Sequence, residues 1–139
     1  MNKNKNRDQI EDKYKWDLFV LYASDDDWEE DYRNVEKGLP HLLEFKGSLA
    51  DSSKLEQFMQ VYINHSVTRE NLYVYANVRF FEDTRNAVYE ERKGRIELLV
   101  SKISAETVFI KKGGLRGGLR GAEGHILNIK NGRLVGVKL

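Results

Sequence analysis

Cysteine is absent from the 139 residues, which excludes disulfides, thiol nucleophiles and cysteine-ligated metals and is compatible with a reducing compartment. No run approaches the ~18 consecutive apolar residues of a membrane span, and the opening "MNKNKNRDQIEDKYK" has no apolar stretch to act as a secretory signal. A cytoplasmic chain with no membrane partner is the expectation. Glycine is scarce before residue 111, where only Gly38, Gly47 and Gly94 occur, whereas eight of the eleven glycines follow. Aromatic residues are missing altogether from 111 to 139. The formal charge of +1 conceals a similar division. Residues 1 to 110 carry 16 Lys and Arg against 21 Asp and Glu, giving −5, and residues 111 to 139 carry 7 against 1, giving +6. Glycine and charge independently place a boundary near Lys111.

What is present before that boundary reads as helix. Ser24 is a good N-cap with Asp27 in the capping-box position, and the surrounding acids suit the positive end of a helix dipole. Trp28, Tyr32, Val35, Leu39 and Leu42 then recur at steps of three and four. Pro40, the one proline, is expected to kink or break this helix. A second helix is expected from Ser52 or Ser53, with Glu56 closing a capping box and Leu55, Phe58, Met59, Tyr62 and Ile63 as its stripe. A third carries Tyr89, Ile96, Leu99, Val100 and Ile103, with Gly94 a weak point. "NLYVYANVRFF" is ambiguous. Its alternation and its β-branched and aromatic content favour a strand, although Leu72, Tyr75, Ala76 and Arg79 also fit helical spacing. After the boundary, Asn131-Gly132 between two apolar runs spells a β-hairpin over 125–139.

Chemistry-bearing patterns are few. His41, His65 and His125 are widely separated and form no H-E-x-x-H pair, so metal binding by them is not expected. The acidic "DDDWEED" lacks the glycine and ligand spacing of a calcium loop and reads as a solvated first turn. Tyr62, Tyr73, Tyr75 and Tyr89 are candidates for lining a peptide groove, with core packing the stronger reading. "KKGGLRGGLRG" fits neither a dinucleotide loop nor a P-loop. Its charge would attract phosphate, but without aromatics to stack bases a flexible basic linker is preferred to a nucleic-acid site.

"YKWDLFVLYASDDDW", "LLEFKGSLADSS", "ENLYVYANVRFFEDTRN" and "ELLVSKISAETVFI" follow one another in an order and spacing that resemble the start of the oligoendopeptidase F family of zinc metallopeptidases. The resemblance runs over about residues 14–110. It implies a mainly α fold of antiparallel helical hairpins, a lobe facing a catalytic lobe across a channel that admits unstructured peptides, and it favours helix for Leu72 to Phe80. The family's zinc is held by the two histidines of H-E-x-x-H and a downstream glutamate, with the motif glutamate as general base. This chain has no such motif, so no catalytic or metal-ligating residue is carried over and no cofactor is expected in the chain itself.

The expected organisation is therefore a polar leader (1–13), a helical lobe (14–110) and a basic glycine-rich tail (111–139). That tail departs from the family's pattern, as a shifted reading frame, a fusion or an appended segment would. The functional expectation is an N-terminal fragment of an oligoendopeptidase F-like peptidase, inactive alone, with oligopeptide substrates belonging to the full-length parent. The alternative is a small helical interaction module that self-associates through apolar surface left open by a missing catalytic lobe.

Overall fold

The computed structural model describes residues 9–110, 125–130 and 133–138. It is mainly α. Helices α1 (Asp25–Leu43), α2 (Ser52–Glu82) and α3 (Ala87–Glu106) are preceded by two short 3-10 turns at Asp12–Tyr14 and Leu18–Val20. Strands β1 (His125–Lys130) and β2 (Arg133–Lys138) pair antiparallel, His125 opposite Lys138 and Lys130 opposite Arg133. The glycine-rich stretch 111–124, on which the linker reading falls, lies outside the described residues, as do 1–8 of the leader.

Each helix starts where its side chains can satisfy free amides. Ser24 Oγ accepts from the Asp27 amide at 3.2 Å while Asp27 Oδ2 accepts from the Ser24 amide at 3.0 Å, the reciprocal capping box expected there. The second helix begins at Ser52, as expected, but its cap is Asp51, whose Oδ1 accepts from the Lys54 amide at 3.0 Å, in place of the expected capping box between a serine and Glu56. Asn86 caps α3 through the Val88 amide at 3.0 Å.

One expectation is corrected: helix α1 continues through Pro40 to Leu43 rather than breaking. Leu72 to Phe80 is helical, as the family resemblance implies and against its local strand propensity; it is the C-terminal third of α2, a single helix of 31 residues. Burial explains the outcome. Leu72, Tyr75 and Ala76 are buried at helical spacing while Tyr73 and Val74 face outward, so the 3.6-residue period wins over β propensity.

The chain divides into two compact units, 1–36 with 68–101 and 37–67 with 102–139. In the first unit Leu18, Tyr22, Trp28, Val35, Leu72, Tyr75, Ala76, Ile96 and Leu99 are buried, and so is Arg92. In the second, Leu42, Phe45, Leu49, Leu55, Phe58 and Ile110 form one apolar cluster with Met59, Val61, Tyr62 and Phe109 packed against it. Phe58 is its hub: its ring lies 5.6 Å from that of Phe45, 5.5 Å from Tyr62 and 6.4 Å from Phe109. The turn between α1 and α2 in this unit needs Gly47, whose φ of 86° is left-handed.

Candidate functional site

Charged chemistry concentrates in the first unit, around Trp28. This side chain is fully buried, its indole N–H donates to the Leu72 carbonyl at 3.0 Å, and its ring stacks on Tyr32 at 5.3 Å. Two guanidinium groups of α3, one turn apart, lie over the indole: Arg92 at 5.2 Å and Arg95 at 5.5 Å from its centroid. Residues four apart on α1 supply the counter-charges. Arg95 makes a bidentate pair with Glu29, Nη1 to Oε1 at 2.7 Å and Nη2 to Oε2 at 2.9 Å. Arg92, whose side chain is 7% exposed, lies 3.0 Å from Asp25 and 4.0 Å from Glu29.

Asp25 carries the network on to α2. Its Oδ1 accepts from the Tyr75 hydroxyl at 2.8 Å, and Arg79 Nη2 donates to that hydroxyl at 3.4 Å. Tyr75 meets Tyr22 edge to face at 5.4 Å, and the Tyr22 hydroxyl donates to Asp31 at 3.0 Å. The titration of these groups follows from their surroundings. Hydrogen bonds from Arg95 hold the Glu29 carboxyl below the usual glutamate range, and the same bonds raise Arg95. Burial first, with Asp31 adding to it, raises Tyr22, and burial is also the main cause that raises Tyr75.

Such an arrangement holds helices together. The arginines face carboxylates and aromatic rings inside the chain. Among the described residues no three His, Cys, Asp or Glu side chains gather where they could hold a metal ion. No helix among them is long and apolar enough to cross a membrane.

The four singled-out tyrosines take different positions. Tyr75 is buried in the network, and Tyr89, half-buried, lies with Arg79 6.0 Å from its ring. Tyr73 is exposed on the outer face of α2, and Tyr62 stacks on Phe58 in the second unit. The pattern thus brings Tyr75 and Tyr89 together around Arg79 and leaves Tyr62 and Tyr73 elsewhere. Sequence reasoning missed Asp25, Glu29, Arg92 and Arg95, reading the acids as a solvated turn. A signal existed: Asp25 and Glu29, four apart, lie on either side of the apolar Trp28, and Arg92 precedes the buried Ile96 by four positions on the inward stripe of α3, with Arg95 one turn on from Arg92.

A second feature of this unit is apolar. A cleft of about 280 Å³ is lined by Trp16, Val78, Phe81 and Glu82, and a smaller one of about 80 Å³ shares Trp16 and Glu82 with it and is lined also by Ile10, Tyr14 and Lys15.

No family model and no solved structure matches the chain. Curated proteins do. The group B oligopeptidase PepB of Streptococcus agalactiae is 35% identical over 100 residues, 71% of this chain and 17% of that protein. The plasmid oligoendopeptidase F of Lactococcus lactis subsp. cremoris is 33% identical over 107 residues, 76% of this chain and 18% of that protein. The oligopeptidase PepF of Bacillus subtilis is 26% identical over 110 residues, 78% of this chain and 16% of that protein. The match thus spans less than a fifth of the length of each of these three relatives.

Proposed function

From the premise that this chain is a relative of the oligoendopeptidase F peptidases over 71–78% of its length, we propose that it is the N-terminal helical piece of such an enzyme and has no peptidase activity by itself. The observation that carries the reading is the 35% identity to PepB, confined to 17% of that protein. The chain lacks H-E-x-x-H, and Asp25, Glu29, Arg92 and Arg95 are engaged with one another instead of being aimed at a substrate. On this reading the zinc and the general base sit in the remaining polypeptide, and the helices here provide part of the wall that guides short peptides to them. On the same reading Tyr73, exposed on α2, is the member of the tyrosine set that would meet a ligand. The setting is the cytoplasm, in keeping with a chain without cysteine.

Incubating the purified 139-residue chain with a quenched fluorescent oligopeptide tests this. No cleavage above buffer is expected, with or without added zinc. Hydrolysis that a chelator abolishes overturns the reading.

A further inference from the structure

We infer that Trp16 and Phe81, with Tyr14 and Val78 beside them, form the surface on which the remainder of an oligoendopeptidase F polypeptide docks. The inference rests on the reading just proposed.

Trp16 is 72% exposed, Phe81 69% and Tyr14 71%; Trp16 lines both clefts, with Phe81 in the larger and Tyr14 in the smaller. Large aromatic rings gathered in one place are the surface a monomeric domain avoids and an interface requires. The segment presenting Trp16 is fixed, so its exposure is built in. Leu18, the first residue of the 3-10 turn, and Tyr22, just after it, are buried, the Tyr22 amide donates to the Leu18 carbonyl at 3.0 Å, and the Asp17 carboxylate caps the Phe19 amide at 3.2 Å. Phe81 sits on the last turn of α2, edge to face with Phe80 at 5.4 Å.

The occupant follows from charge and from length. Of the charged groups at the cleft, Lys15 donates to Asp12 at 2.8 Å and Glu82 is ion-paired with Arg79 at 3.7 Å. What remains to be satisfied is apolar, which suits a packed polypeptide surface better than a charged ligand. In PepB, 17% of the protein is matched by this chain, leaving 83% outside the match as the covering body.

The test is co-expression of the 139-residue chain with PepB deprived of the segment it matches, reading recovery of that remainder on the tagged chain. Co-purification is expected, and the double variant Trp16→Ala/Phe81→Ala should lower it about tenfold or more, the effect of truncating central aromatic anchors. Leu98→Ala, at an exposed residue lining neither cleft, should leave it unchanged. A second readout needs no variant. Trp28 is fully buried, so acrylamide quenching reports on Trp16, and it should fall when the remainder is bound. Failure to co-purify overturns the inference. Co-purification that the double variant leaves intact, with Trp16 still quenchable, overturns the docking surface but leaves the proposed function standing. Protection of Trp16 that grows with the chain's own concentration, without the remainder, assigns the face to a second copy and also overturns it.

Discussion

The two compact units are built from the same three helices by different means. The first surrounds a buried tryptophan with two arginines, two carboxylates and two tyrosine hydroxyls; the second is an apolar cluster around Phe58. Hydrophobic burial is non-directional and insensitive to pH, whereas a buried ion network is expensive to desolvate and useful only when complete. The first unit should therefore be the more specific in geometry and the more vulnerable to chemical change.

Trp28→Ala should produce the largest loss, about 5 kcal/mol in urea denaturation, at the upper end for large-to-small core changes because the Leu72 bond and the ring under two guanidiniums go with it. Phe58→Ala removes contacts of one kind only and should cost about 4 kcal/mol. Equal losses would weaken the case that polar partners add to Trp28. Arg92→Met sharpens the contrast. It keeps volume but removes the charge partner of Asp25, and about 3 kcal/mol is expected, at the low end for a broken buried pair because Asp25 is half exposed and keeps its bond from Tyr75. A neutral result would mean that the first unit, like the second, is held by apolar packing.

Much of this contrast was legible beforehand for the second unit and little for the first. Leu55, Phe58 and Tyr62 recur at helical spacing and are found packed, because periodicity encodes which face is buried. Periodicity does not say which charges on an inward face will meet. Asp25 and Arg92 are 67 positions apart, and only the association of helices makes the ion pair worth more than exposed solvation. The ambiguity at Leu72 to Phe80 has a similar origin, since alternation and helical spacing coexist there until Trp28 and Leu72 are brought together. Pro40 was misleading because a proline disrupts only the bonds and space of its own turn, and α1 ends within one turn after it. Trp16 and Phe81 gave no signal of their exposure, since an aromatic residue reads alike whether it meets its own core or another polypeptide.

Acidity should separate the units next. The carboxyl of Glu29 has its folded-state pKa lowered by Arg95, so its contribution is complete above the unfolded glutamate value of about 4.5 and is lost as pH falls through the folded value. Tyr22 and Tyr75 act at the other extreme. Their folded pKa values are raised, so the stability they contribute is complete below about pH 10 and is lost as pH rises beyond it. The penalty of Arg95→Met should shrink between pH 7 and 3 as Glu29 protonates, while that of Phe58→Ala stays constant. Urea midpoints across that range check both, and parallel behaviour of the two variants would erase the distinction.

The smallest effect concerns the second unit's backbone. Gly47 adopts a φ of 86°, and a Cβ placed there would meet no atom within 4 Å, so Gly47→Ala isolates conformational strain from steric clash. About 1 kcal/mol of destabilisation is expected, the cost of forcing an L-residue into the left-handed region. Since nothing lies within 4 Å of the added Cβ, the loss should be the same at pH 7 and pH 4, and Gly47→Asn, which tolerates that conformation better, should recover part of it. A loss that varied with pH would show that the turn feels charges, and the second unit would then be no simpler in its physics than the first.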